Sequence, residues 1–473
     1  MSRDDKIESY KQAIRIKPDD AVAHYNLGFA YYLLRDYEKA VAAYKQAIRL
    51  YPDYDEAHFA LGLAYADSGD FQKAIESCQQ VIRINPDKAE AHSFLEINYR
   101  RLGDFQKAIE SCQQVIRIQP DKAEAHFNLG FIYEKLRDYE NAVASYKQAI
   151  HIKPNYAEAY HNLGVVYDLL GNGKIALVCY EQAIRLQPDF AQAHKNQGGA
   201  YGKSGDDNTA LESYKQAIRS RPDDAQAHLN LGIAYQNLAD YKMAIESFKQ
   251  AVRIQPDFAK AHFCLGAAYQ NLADYKNAME SFKQAVRIQP DFVDAHFYLG
   301  FNYNLLADYK NAIESFKQVI RSKPDYADVH YHLGFSYNHL ADYKNAIEAL
   351  KQAIRSKPDY AEAHYQLGFS YNQLADYKNA IESLKQAVRS KPDYAEAHFS
   401  LGLAYGILEN DKNAMESFKQ AVRSKPDYAG AHFSLGITHL IMDDRNSALE
   451  EYKTLKELDK ELANKLFNMI NEK

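Results

Sequence analysis

Between Ala361 and Tyr394, small and apolar side chains fall on two separate stripes of helical period. Ala363, Leu367, Gly368 and Tyr371 mark the first stripe, and Ile381, Leu384, Ala387 and Val388 the second. The polar stretch between them contains Ala375-Asp376, and an aspartate there suits the N-cap of the second helix. Pro392 stops that helix, because it has no N–H to donate and its ring clashes with the preceding turn. Arg389 complements the dipole of its last turn. Asp393, with Glu396 three residues on, reads as a capping box for another first helix. The pattern predicts helix, short turn, helix, short turn.

The same pattern recurs along the whole chain. The thirteen prolines, Pro18 to Pro426, stand 34 residues apart, and there is no other proline in the 473 residues. A fixed period of this size marks a solenoid of stacked helical units. Full repeats start at Ala21, Asp55, Ala89, Ala123, Ala157, Ala191, Ala225, Ala259, Val293, Ala327, Ala361 and Ala395. A glycine inside each first helix (Gly28, Gly62, Gly130 and onward to Gly436) is costly in isolation, so close approach of the second helix is expected there. Glu96 interrupts the glycine column and Gln197 the leucine column, which marks those two seams as weak.

Leu367-Gly368, Tyr371, Ala380, Leu384, Ala387 and Pro392 resemble the tetratricopeptide repeat position for position. His364 stands where that family usually has Trp, and the chain has no Trp. The resemblance implies an all-α fold, a right-handed superhelical solenoid of tandem 34-residue helix-turn-helix repeats. It divides the chain into a half repeat at 1–20 (second helix only), twelve full repeats at 21–428, and a degenerate thirteenth repeat with a C-terminal capping helix at 429–473. The half repeat is either a cap or the remainder of repeats lying upstream. Its Ile7, Tyr10 and Ile14 are expected to leave apolar surface open.

Composition narrows the function. Net charge is −6, and basic residues are spread by the repeat rather than clustered, which argues against nucleic acid. No apolar run is long enough for a membrane-spanning helix, and no signal-peptide core opens the sequence. Cys78 and Cys112 occupy the same core position in successive repeats, about 10 Å apart, too far for a disulfide. A reducing, cytoplasmic setting follows. Of the seventeen histidines, twelve recur one per repeat, about the same distance apart, and cannot converge on one metal ion. They are expected to lie buried between the two helices, neutral, and to make the array acid-sensitive. No catalytic motif, metal site or cofactor site is found, and the chain is not expected to be an enzyme.

The family resemblance implies a concave groove lined by positions 2, 5, 9, 12 and 13 of each repeat, with position 6 close by. Position 5 is aromatic in much of the array, including Phe297, Tyr331 and Tyr365; position 9 adds Phe301, Phe335 and Phe369. Position 12 carries consecutive amides: Gln236, Gln270, Asn304, Asn338 and Asn372. Position 6 carries Asn128, Asn162, Asn196 and Asn230. Amides can meet the alternating donors and acceptors of an extended peptide, and aromatic rings beside them offer apolar contact. Some relatives grip a partner's C-terminal carboxylate with Lys, Arg and Asn on successive repeats; here Lys195 is alone in its column and Gly199 replaces the Asn, so that clamp is missing. The reading is a non-catalytic protein–protein interaction scaffold that holds a peptide or helical segment. Two alternatives are the substrate-recruiting arm of a separate enzyme such as a glycosyltransferase, and a structural protein that self-associates through its N-terminal half repeat.

Overall fold

The computed structural model describes residues 3–472; residues 1 and 2 of the half repeat and residue 473 of the capping segment lie outside them. Twenty-eight helices and no strands are present among the described residues. The chain divides into two compact parts, Met1–Leu238 and Ala239–Lys473. Each is an all-α stack in which a 13-residue first helix and a 14-residue second helix alternate, as in Ala361–Gln373 and Tyr377–Ser390.

The local chemistry explains the alternation. Asp376 caps the second helix, its carboxylate accepting from the backbone N–H of Asn379 at 3.3 Å. The first helix ends in a tight reversal: the N–H of Asp376 donates to the carbonyl of Tyr371 at 2.9 Å, across Ala375 in the left-handed region at φ 55°. Glycine, which adopts that conformation freely, occupies the equivalent place at Gly69, Gly103, Gly171 and Gly205.

The expected capping box at Asp393 does not form. The N-cap is Tyr394, with no side-chain bond, so Asp393 sits one residue too early. Only Asp20 and Asp224, which stand at the N-cap itself, accept bonds from the first turn of a first helix.

The glycine column has the packing role its cost demanded. A Cβ on Gly300 would lie 2.7 Å from Phe316, and one on Gly368 2.6 Å from the Leu384 side chain. Gly62 faces the smaller Cys78, with 3.1 Å to Sγ. Where Glu96 replaces glycine, the facing residue is again small, Cys112. The Glu96 carboxylate is buried, bound by Arg100 at 2.8 Å and Asn128 at 3.3 Å. Burial pushes its pKa up, against the pull of Arg100. Gln197 accepts from Ser213 at 3.2 Å. Both irregular seams are therefore closed by polar contacts. The four cysteines are free, and burial raises their thiol pKa values, Cys78 to about 12.

The ends differ from expectation in one respect. Ile7 is buried, and Tyr10 and Ile14 are half-buried; exposed apolar surface at this end belongs to Ile16, 79% exposed, and Val22. At the other end Leu466, from the last helix Lys460–Glu472, fills the space above Gly436. Leu462 is half-buried there, and Phe467 stacks on Tyr452 while staying partly exposed.

Candidate functional site

The histidine column is more than a filler between helices. In all twelve copies Nε2 lies 2.7 to 3.2 Å from the carbonyl oxygen of the proline six residues earlier, as in His330–Pro324 and His126–Pro120. A carbonyl only accepts, so Nε2 carries the proton and donates. The histidine thus ties the start of one first helix to the end of the helix before it. Among the described residues no three His, Cys, Asp or Glu side chains are grouped to hold a metal ion.

Two other histidines are held neutral. His161 donates from Nδ1 to Asn162 at 2.9 Å, and its Nε2 accepts from Asn196 at 3.0 Å, an arrangement that needs an unprotonated Nε2. Burial lowers its pKa, partly opposed by the Asn162 bond and by Glu158. His332 lies among Phe297, Phe301, Phe316 and Tyr331, with ring centroids 5.0 to 5.9 Å away. Burial lowers its pKa to about 4, against Asp328.

Position 5 is a seam as well as a surface. Its ring packs against the residue just before the next repeat: Tyr331 on Tyr360 and Tyr365 on Tyr394, both at 5.0 Å, and Phe297 on Tyr326 at 5.6 Å. Where one partner changes, so does the other. Phe59 lies under the ammonium of Lys88 at 5.6 Å, Ser93 accepts from Lys122 at 3.2 Å, and Lys195 pairs with Asp224 at 2.6 Å. That last pair, largely buried, occupies the one basic side chain of the column.

Three of the five position-12 amides, Gln270, Asn304 and Asn338, bond to the neighbouring repeat rather than standing open, while the Oε1 of Gln236 is buried without a partner. Asn304 Oδ1 accepts from Ser336 at 2.7 Å, and Asn338 Oδ1 from Ser370 at 2.6 Å. Asn338 Nδ2 donates to the Gln366 side chain at 3.0 Å, and Gln270 accepts from Asn302 at 2.8 Å. Asn372 faces Ala404, which has no hydroxyl, and its Oδ1 is buried without a partner. The position-6 amides are half-exposed and also engaged: Asn128 with Glu96, Asn162 with His161, Asn196 with His161 and Gln192, and Asn230 with Gln226.

Position 9 rings are less enclosed. Phe369 and Phe335 make edge contacts of 6.4 and 6.5 Å with Tyr343 and Tyr309, and Phe301 reaches His332 at 5.4 Å. Between two repeats a cavity of about 230 Å³ is lined by Asn338, His339, Tyr365, Gln366 and Phe369. The structure thus joins Asn338, Tyr365 and Phe369 from the expected set and adds His339 and Gln366. His339 stacks flat on Tyr309, 4.5 Å away, a contact between repeats that one repeat's pattern does not announce.

Similarity to known proteins runs along the chain. Profiles described as tetratricopeptide repeat match residues 25–89, 157–190, 225–258, 259–292 and 395–428. A profile described as TPR repeat matches 7–34, 98–136, 138–171, 198–238, 303–340, 341–375 and 370–406. No curated protein sequence matches. Among solved structures, MamA is 30% identical over 35% of this chain and 97% of its own, with a TM-score of 0.33. Cut9–Hcn1, an APC/C hetero-tetramer, is 14% identical over 91% and 98%, with a TM-score of 0.39. YrrB, described as a TPR protein with an unusual peptide-binding site, is 22% identical over 40% and 96%, with a TM-score of 0.36. With profile matches over more than half its length and the helix-turn-helix repeat in every copy, the chain belongs to the tetratricopeptide repeat family.

Proposed function

We propose that the chain is a non-catalytic protein–protein interaction scaffold, and that residues 293–394 hold an extended or helical apolar segment of a partner. The observation that carries this reading is the cavity beside Tyr365 and Phe369. It sets the rings of Tyr365 and Phe369 beside the polar side chains of Asn338, His339 and Gln366, so apolar contact and convergent polar groups meet in one pocket. Gln366 spends its Oε1 on Asn338, which leaves its Nε2 hydrogens for a ligand carbonyl. Phe297, Phe301, Tyr331 and Phe335 extend the aromatic surface to the preceding repeats. Asn304 and Asn338 contribute by fixing the spacing of the repeats, whereas Asn372 makes no such bond. No helix of the described residues is long and apolar enough to cross a membrane, and free buried thiols suit a reducing compartment such as the cytoplasm.

Affinity capture with mass spectrometry identifies the partner, and titration of the purified pair tests the site. Phe369→Ala and His339→Ala should each weaken binding by about 1–3 kcal/mol with little change in melting temperature. Unchanged affinity in both variants would place the partner elsewhere. Self-association through the N-terminal half repeat is a second reading, favoured by exposed Ile16 and Val22. A molar mass that stays monomeric across concentration in light scattering would remove it.

A further inference from the structure

The first two full repeats contain a second cavity, of about 150 Å³, distinct from the one at Tyr365. The rings of Tyr25, Phe29, Tyr32 and Phe59 line it, together with Tyr44 and the carboxylate-bearing Glu56. Its origin lies in two departures from the later pattern. In the repeats at 123 and 157, the hydroxyl of Tyr146 donates to Glu134 at 2.8 Å and accepts from Asn162 at 3.4 Å. At the equivalent places the first repeats have Tyr32, turned away to bond Asp67 at 2.6 Å, and Ala60, which lacks an amide. Tyr44, equivalent to Tyr146, therefore has a buried hydroxyl with no hydrogen-bond partner. Tyr44 stands in the wall of the cavity with its hydroxyl enclosed behind it.

Charge decides what would enter. Lys88 also lines the cavity, but its ammonium is paired with Asp55 at 2.8 Å and lies over the Phe59 ring at 5.6 Å. That pairing ties the ammonium down, although its field still reaches Tyr25. Glu56 makes no ion pair among the described residues, is exposed at the rim and lies against the Asp55 carboxylate. Its field reaches Tyr25, whose phenol pKa is raised by burial first and by Glu56 second, with Lys88 pulling the other way. Aromatic faces attract cations, and an unpaired carboxylate beside them adds to that attraction.

We propose that this cavity is a binding site for a cationic side chain of a partner, an arginine guanidinium in particular. The guanidinium stacks on the aromatic walls and pairs with Glu56. Its planar fork of N–H donors stacks and pairs at once, which a quaternary ammonium could not do. The site is separate from the one proposed at Tyr365 and stands or falls without it.

The absence of Trp gives a clean reporter. In the full chain, Phe29→Trp places a single indole on the cavity wall. Titration with N-acetyl-arginine amide should change its emission saturably in the millimolar range, while the uncharged isostere N-acetyl-citrulline amide and N-acetyl-norleucine amide should not. Calorimetry on the chain without the reporter should show the same preference. Adding Glu56→Gln should weaken the arginine response about fivefold while leaving the melting temperature in place. Equal responses to arginine, citrulline and norleucine would make the cavity merely apolar and overturn the assignment. So would the absence of saturable signal and heat, or an arginine response indifferent to Glu56→Gln.

Discussion

The hydroxyl of Ser370 donates to Asn338 across a repeat boundary at 2.6 Å, and the two residues are 32 positions apart. The next rung of this ladder is broken: Asn372 is in place, but Ala404 stands where a serine would be. A buried acceptor without a donor destabilises by about 1–3 kcal/mol, whereas a formed bond contributes about 1. Ala404→Ser should therefore raise the denaturant midpoint, and Ser370→Ala should lower it. A neutral or destabilising Ala404→Ser would show that Asn372 is satisfied in another way in solution.

The left-handed residue at each first-helix end offers an independent gain. Ala307, Ala341 and Ala375 hold φ of 55–57° with a Cβ, where four other repeats use glycine. Replacing each by glycine should stabilise the chain by up to about 1 kcal/mol per site, because the strain relieved exceeds the added freedom of the unfolded state. Thermal melts of the triple variant give the readout, and a lowered midpoint would count against strain at these turns.

The glycine column should tolerate alanine unequally. Gly368→Ala drives a Cβ to 2.6 Å from Leu384, in a fully packed seam, and should cost about 1–3 kcal/mol. Gly62→Ala meets Cys78 at 3.1 Å, a milder contact, and its helix-propensity gain of about 1 kcal/mol should offset most of the cost. Similar losses for both, measured by chemical denaturation, would separate the glycine requirement from the size of the facing side chain.

Acid sensitivity should centre on His332. Its folded pKa is lowered to about 4, so below the unfolded value near 6.5 the unfolded chain binds a proton that the folded chain refuses. Its contribution is intact above pH 6.5 and declines as pH falls toward 4, by about 2 kcal/mol at pH 5. His161 acts in the same direction. His432, raised by its bond to Glu451, acts in the opposite one: its contribution is present below its unfolded pKa and is lost as pH rises through the folded value. His332→Phe should therefore narrow the gap between melting temperatures at pH 7.5 and 5. An unchanged gap would show that this ring is hydrated.

Most of the fold was legible because each repeat spells out its own helices. Asp376, Ala375 and Pro392 act within a few residues of where they stand, and the glycine column announced a close approach that Phe316 and Leu384 supply. What stayed hidden were contacts that join one repeat to another. Asn338 looks like a free amide until Ser370 is set beside it, and His364 looks like filler until its nitrogen is found on the Pro358 carbonyl at 2.9 Å. The cavity at Tyr365 needed His339 and Gln366 as well; they stand at positions 13 and 6, expected groove positions, but outside the runs of asparagine and aromatic residues that drew attention there. The capping box failed by a single residue, because the N-cap position is used for packing Tyr394 on Tyr365.

The rung between Asn338 and Ser370 also bears on changes in copy number. Excising residues 327–360 would bring Asn304 opposite Ser370 and leave Asn372 opposite Ala404. Excising 361–394 would keep Asn304 opposite Ser336 and bring Asn338 opposite Ala404. Either loss leaves one closed rung and one amide without a donor, so these two repeats are interchangeable cassettes: recombination can shorten the stretch on either side of Ser370 silently, and the unpaired amide travels with Ala404 rather than with any one asparagine.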